Sequence, residues 1–233
     1  MKKGKMKPVN VNAFDILGDM AAASKIAFGA AVAYAAAKTV KATIDIAVSQ
    51  NLIGIADWDL VKKTEDGFYS QYDLVPIITA GRCRAWVTPT HTTAENILAG
   101  AYLEIADIGG TNGQPLGVLQ QMGAEDGSAT PTVREAETIA RALEDVTMTD
   151  PKVVATGCAI GGTSVVLSEA DITALALAVG DYILLENLDG DAMINRVKAI
   201  TATTITLQIA STVLIEDATD YVHKLMQCEV MLL

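Results

Sequence analysis

The segment from residue 51 to residue 120 constrains the fold more than any other part of the chain. Short apolar runs rich in Val, Ile, Tyr and Trp are interrupted there by Gly, Pro, Asn or Asp about every eight to twelve residues. Strands bounded by turn residues at this spacing are typical of antiparallel β domains, whereas βαβ units need helical connections between their strands. The segment therefore predicts a mainly β fold.

One apolar run also indicates how its strand is covered. Arg82 and Arg84 alternate with Cys83 and Ala85, which predicts a strand with one face toward solvent. Trp86 interrupts this alternation. We therefore expect one end of the strand to be covered on both faces.

The same segment carries a family resemblance. It contains the phrases "IGIAD", "DLVPIITAGRCRAWV", "ILAGAYLEIAD" and "GQPLGVLQ". In pattern and short phrases, these resemble the small β-barrel capsid decoration, or cement, proteins of tailed phages and related archaeal viruses. The resemblance covers roughly residues 21–146 plus the last ten residues. It implies a small antiparallel β-barrel and a homotrimer that sits on a capsid lattice and stabilises it.

The amino-acid composition limits the kinds of molecule that the chain is expected to bind. The formal net charge of −11 argues against a nucleic-acid-binding surface over most of the molecule. The uncharged run at 26–37 is too short for a transmembrane helix, so we expect no membrane span and a protein made and kept inside the cell. A signal peptide ending near Ala33 is the minor alternative. The three cysteines, Cys83, Cys158 and Cys228, are far apart, which predicts buried free thiols rather than a disulfide framework or a zinc site.

The first forty residues leave alternatives open. Residues 1–12 form a basic arm, which is either a solvated tail or a segment that lies on an acidic neighbouring subunit or on the capsid. The candidate contacts of this arm are Lys2, Lys3, Lys5 and Lys7. Alanine content and helical spacing predict a short helix over 13–22, and period-two alternation predicts strands from about Lys25 and again over 40–48.

A second, smaller β module is predicted over 153–221. Ser168 is placed to cap a short helix, and Asp189-Gly190 is a hairpin signal between two apolar runs. A further strand is expected over 203–209. Between the two β regions, residues 131–138 are predicted as a helix and residues 139–146 as a strand, although a helix over both segments is a competing interpretation.

The last nine residues form a strongly apolar strand that must pair inside a sheet. In the family that the chain resembles, such a strand closes the barrel soon after a segment like 139–146. We therefore expect a β-barrel capsid-binding domain at 13–150 plus 223–233, interrupted by an inserted β module at 151–222 with one or two short helices. The insert should project away from the capsid, and its excision should leave the barrel folded.

The sequence shows few of the residue patterns that mark a catalytic site. His91 and His223 stand in different segments, and both are expected to be surface side chains rather than catalytic bases. No serine lies in a G-x-S-x-G context, and no glycine pair is followed by the Lys and Ser/Thr of a P-loop. We therefore expect no enzyme, no cofactor and no metal. Trp58, between two aspartates, is a candidate interface residue, because exposed aromatics are common hot spots.

The family resemblance implies a structural virion protein on the capsid surface, made in the host cytoplasm, with the major capsid protein as its partner. The alternative is a carbohydrate- or ligand-binding β module of a virion fibre or cell-surface adhesin.

Overall fold

The computed structural model describes residues 15–42, 52–57, 67–88, 96–106, 116–122 and 139–233. This part of the chain is mainly β, as predicted, with a closed five-stranded β-barrel, a separate curled sheet and one short helix. The strands are β1 (Asp15–Ala22), β2 (Ile26–Ala27), β3 (Ala31–Ala36), β4 (Thr39–Ala42), β5 (Leu52–Ala56), β6 (Phe68–Tyr69), β7 (Leu74–Val87), β8 (Tyr102–Ile105), β9 (Leu119–Gln121), β10 (Ala140–Ala142), β11 (Lys152–Val153), β12 (Ser164–Val166), β13 (Tyr182–Glu186), β14 (Ala192–Ile200), β15 (Thr204–Leu207), β16 (Tyr221–Lys224) and β17 (Met226–Leu232), and the helix is α1 (Glu169–Ala174). Within the described residues, no helix has both the length and the apolar character needed to cross a membrane.

The barrel consists of β1, β4, β3, β5 and β7, in that order, and closes where β7 pairs with β1. The predicted helix at 13–22 is wrong, because residues Asp15–Ala22 form strand β1. This strand is hydrogen-bonded on both sides, parallel to β4 and antiparallel to β7. Two ladders of tertiary hydrogen bonds outweigh the modest helix preference of an alanine-rich segment.

Strand β7 belongs to two rings of strands, of which the barrel just described is the first. Its first half pairs with β1 as far as Ala80, and its second half pairs with β17 from Gly81, which lies opposite Leu232. Gly81 has a φ of +91°, a conformation that glycine adopts without steric cost. The exchange of partners therefore occurs at the one residue of β7 that is conformationally free to turn the strand.

The second ring consists of β7, β17, β10, β8 and β9, and returns to β7 through a parallel pairing of Val87 with Leu119. The expected pairing of the last strand with the segment near 139–146 is confirmed, since Ala140 lies opposite Leu232. Apolar side chains from all five strands form one core cluster that includes Cys83, Ala85, Val87, Leu103, Ile105, Leu119, Ala140, Ala142, Cys228, Val230 and Leu232.

The curled sheet has the strand order β11-β16-β13-β14-β15-β12. The predicted hairpin joins β13 to β14 around Gly190, and β15 falls inside the strand predicted over 203–209. The Ser168 hydroxyl accepts a hydrogen bond from the Asp171 N–H, so the predicted N-cap of α1 is confirmed. Entry and exit strands lie side by side, with Lys152 opposite Val222, as an insertion requires.

The rings and the curled sheet share one core cluster. Phe28, Phe68 and Trp86 on the ring side pack in this cluster with Tyr182 and Ile194 of the curled sheet. The domain boundaries at 150 and 223 and the projection of the insert away from the capsid stay predictions, and the shared cluster shows that the curled sheet packs against the rings. The predicted helix at 131–138 and residues 43–48 of the predicted strand at 40–48 lie outside the described residues.

Candidate interaction surface and neighbouring sites

None of the contact residues predicted from the sequence belongs to the described part of the chain. Lys2, Lys3, Lys5, Lys7 and Trp58 all lie outside the described residues, and so does His91. Their roles stay predictions. The described residues instead present a surface that sequence reasoning did not single out.

This surface is the outward face of the second ring, called here the arginine face. It comprises Arg82, Arg84, Tyr102, Arg141, Leu143, Glu144, Glu229 and Met231. Four of these residues form a row across four strands, because Arg82 lies opposite Met231, Met231 opposite Arg141, and Arg141 opposite Tyr102. Side chains at directly opposed positions share a face of the sheet, so the row is continuous.

The arginines of this face are held by short-range contacts. Arg82 donates through both Nε and Nη2 to the Glu229 carboxylate, the second bond being 2.7 Å long. This hydrogen-bonded pair raises the pKa of the Arg82 guanidinium and lowers the pKa of the Glu229 carboxyl. Arg141 donates from Nε to the Gly100 carbonyl over 3.0 Å. Arg84 is exposed, and its Nη1 lies 3.5 Å from the side-chain oxygen of Gln227.

The guanidinium of Arg141 also lies 5.5 Å from the centre of the Tyr102 ring. The same arrangement recurs in the curled sheet, where Arg196 donates to the Gly180 carbonyl over 2.9 Å and lies 5.8 Å from the Tyr182 ring. The sequence shows this likeness only as two similar phrases, Gly100-Ala101-Tyr102-Leu103 and Gly180-Asp181-Tyr182-Ile183. The recurring arginine on the neighbouring strand extends the likeness beyond a shared turn.

The composition of the arginine face differs from that of the whole chain. Three of the five arginines in the sequence lie here against two carboxylates, within a chain of net charge −11. Tyr102, Leu143 and Met231 add apolar area, since each is more than a third exposed. Arg, Tyr and Met are the residue types enriched at protein interfaces, so this face has the composition of a protein-binding surface.

Beside this face, the outward side of β7 is covered by the curled sheet. Trp86 is buried there and donates from Nε1 to the Phe28 carbonyl. Its ring centre lies 4.5 Å from that of Tyr182, whose hydroxyl donates to the Gly67 carbonyl over 2.7 Å. The expectation that Trp86 marks an end of the strand covered on both faces is therefore confirmed.

A cleft of about 150 Å³ opens between the rings and the curled sheet. Its walls are mostly apolar and come from both units, as shown by Phe68 and Leu116 on one side and Ile194 and Ile209 on the other. Lys25 also lines the cleft, with Nζ 5.3 Å from the centre of the Phe68 ring. The cleft is large enough for a small apolar group beside one positive charge.

His223 is not the surface residue that the sequence suggested. It is fully buried on β16, and its Nε2 lies 2.8 Å from an Oε of the nearly buried Glu186. Their orientation does not meet the geometry of a hydrogen bond. The prediction failed because β16 is only four residues long, too short for an alternating pattern to reveal which side chains point inward.

The cysteines are free, as predicted, but not equally buried. Cys83 and Cys228 are buried in the core of the second ring, whereas Cys158 is half-buried, which corrects the expectation of three buried thiols. Burial raises the pKa of Cys83 to about 12 and that of Cys228 to about 11. No group of three or more His, Cys, Asp or Glu side chains suited to a metal ion occurs among the described residues.

Comparison with known proteins does not add an assignment. No protein-family model matches the chain, and no curated protein matches it.

Proposed function

We propose that this chain is a structural virion protein that binds the outside of a viral capsid and stabilises the shell. The supporting observation is that the phrases carrying the family resemblance supply strands of the two rings. "LIGIA" is β5 and "LVPIITAGRCRAWV" is the whole of β7, the strand common to both rings. Two of the five barrel strands therefore come from the phrases that suggested a barrel.

In this proposal the protein acts by binding alone, without catalysis. A protein that binds the assembled shell but not free capsid subunits shifts the assembly equilibrium toward the shell by mass action. Its partner is the major capsid protein, and the working unit is a homotrimer at the capsid surface, after synthesis in the host cytoplasm. Ring closure suits this setting, because it leaves few unpaired strand edges that could drive aggregation.

Cosedimentation with undecorated capsids, assembled from the major capsid protein of the same genome, tests the proposal. We expect saturable binding and a higher temperature of shell dissociation. Capsids that sediment without the protein, or that bind it without any gain in heat resistance, would contradict a decoration role.

The basic arm provides a second test. Deleting residues 2–7 removes Lys2, Lys3, Lys5 and Lys7 and leaves every described strand intact. We expect the melting temperature to stay nearly unchanged and capsid binding to weaken, most strongly at low salt, because salt screens the lost attraction. Unchanged capsid binding would show that the arm is only a tail.

One observation favours the alternative, a carbohydrate- or ligand-binding module of a virion fibre or adhesin. The apolar cleft beside Lys25 is a concave site between two packed units, where small molecules commonly bind. A glycan array and a small-molecule thermal-shift screen test this alternative. Binding that is lost on Ile209→Trp, which fills the cleft from one wall, would support it over the capsid role.

A further inference from the structure

The curled sheet carries a large share of the negative charge of the chain. Residues 151–222 contain nine carboxylate side chains and only three basic ones, a formal charge of −6. Three of these carboxylates, Asp189, Glu216 and Asp217, are exposed on two neighbouring loops at one end of the sheet. This end also exposes Leu188 and Leu214, which are 61% and 46% exposed. These five residues are called here the acidic tip.

The acidic tip is held in one shape by its own hydrogen bonds. The buried carboxylate of Asp220 accepts from the Leu188 N–H over 3.2 Å and from the Glu216 N–H over 2.7 Å. Asn187 donates from Nδ2 to the Leu214 carbonyl over 3.2 Å. Because the two loops are hydrogen-bonded to each other, Leu188 and Leu214 are exposed at the same end of the sheet, among the three carboxylates.

The acidic tip and the arginine face are complementary in charge and in apolar content. The face presents Met231 with Arg84 and Arg141 around it, and the tip presents two leucines with carboxylates around them. Within one copy both surfaces stay exposed, so the tip does not cover the face of its own chain. Complementary charges steer the encounter of two protein surfaces and fix the orientation in which they bind.

We propose that the acidic tip of one copy docks on the arginine face of a second copy, head to tail. The contact is heterologous, since each copy contributes a different surface to each of its two junctions. Such contacts generate a closed ring when the rotation between copies closes. This docking would specify how the copies of the proposed homotrimer contact each other, and only the number of copies rests on the proposed function.

Two association-defective variants test the docking. The face variant is Arg84→Glu with Met231→Glu, and the tip variant is Asp189→Lys with Glu216→Lys; all four side chains are exposed, so the fold should be retained. We expect each variant to self-associate at least ~100-fold more weakly than the unmodified chain, measured by sedimentation velocity. Matched controls are Glu169→Lys and Lys198→Glu, which change charge on the same chain outside both surfaces and should leave association unchanged.

Mixing the two variants gives the sharpest result. The face variant retains an intact tip and the tip variant retains an intact face, so one junction can form but the ring cannot close. We expect a 1:1 dimer and no larger species. Persistent monomers in the mixture, or recovery of the full oligomer, would overturn head-to-tail docking, as would an unmodified chain that stays monomeric at every concentration.

The same samples separate this inference from the proposed function. An unmodified chain that is monomeric yet cosediments with capsids overturns the docking and retains the decoration role. A chain that assembles through tip and face but ignores capsids retains the docking and overturns the decoration role.

Discussion

Tyr182 joins the curled sheet to the two rings of strands through both its aromatic side chain and its hydroxyl group. The ring packs on Trp86, and the hydroxyl donates to the buried Gly67 carbonyl. We expect Tyr182→Phe to lower the free energy of unfolding by about 1–2 kcal/mol, because a buried carbonyl loses a donor. Urea denaturation measures the change, with Tyr72→Phe as the control, since Tyr72 is 76% exposed. Equal losses in both variants would show that the hydroxyl contact is not significant.

The buried thiols make a prediction about alkaline pH. Cys83 has an ordinary pKa of 9.0 but about 12 in the folded protein, mainly because burial disfavours the thiolate and secondarily because Asp57 lies nearby. The folded state therefore holds its proton while the unfolded state releases it, so stability is full below pH 9 and falls as pH rises from 9 to 12. Each such thiol contributes a slope of about 1.4 kcal/mol per pH unit.

Cys83→Ala should flatten this alkaline decline, even if it lowers stability at neutral pH. Unfolding free energies measured in reductant at several pH values test the slope. Cys158→Ala is the comparison variant and should flatten the decline less, because burial also raises the pKa of Cys158 but this side chain is only half-buried. Parallel curves for the unmodified chain and Cys83→Ala would refute the assignment of the slope to this thiol.

At the scale of elements, strand β17 closes the second ring by pairing with β7 on one side and β10 on the other. Its alternate residues face opposite ways, so Val230 is buried in the core while Met231 is exposed. We expect Val230→Ala to cost about 2 kcal/mol and Met231→Ala less than about 0.5 kcal/mol, both measured on dilute protein. Similar costs at the two positions would mean that β17 is not in the register described. Ending the chain after Tyr221 should unfold the second ring altogether.

Apart from the pairing of β10 with β17, which the family resemblance implied, the elements that sequence analysis found are those fixed by neighbouring residues. The hairpin around Gly190 and the cap at Ser168 each depend on a few adjacent side chains, and both are present. Strand β1 was missed because its identity depends on partners β4 and β7, whose pairing no local pattern reports. The arginine face was missed for the same reason, since Arg82 and Arg141 become neighbours only through β17.

At the scale of the molecule, the curled sheet covers apolar side chains on the outside of the rings. Excising 151–222 would expose Trp86, Phe28 and Phe68, which now pack with Tyr182. Contrary to the expectation from sequence, we predict that the excised chain is destabilised, binds a hydrophobic dye and aggregates. Calorimetry and dye fluorescence measure this outcome. A monodisperse excised chain with an unchanged melting temperature would restore the simple insertion.

The sharing of β7 between two rings has a consequence for how the protein is made. Arg82 on β7 and its partner Glu229 on β17 are 147 residues apart, so the second ring stays open until the ribosome has passed residue 232. At roughly 5–20 residues per second, the nascent β7 waits on the order of ten seconds for its partner. Strands β12 to β15 of the curled sheet, including β13 with Tyr182, are made in that interval, whereas β16 follows only just before β17, and the hydrogen-bonding edge of β7 stays bare. Chaperones that recognise unpaired strands should therefore bind nascent chains arrested near residue 222 and release them once β17 has emerged.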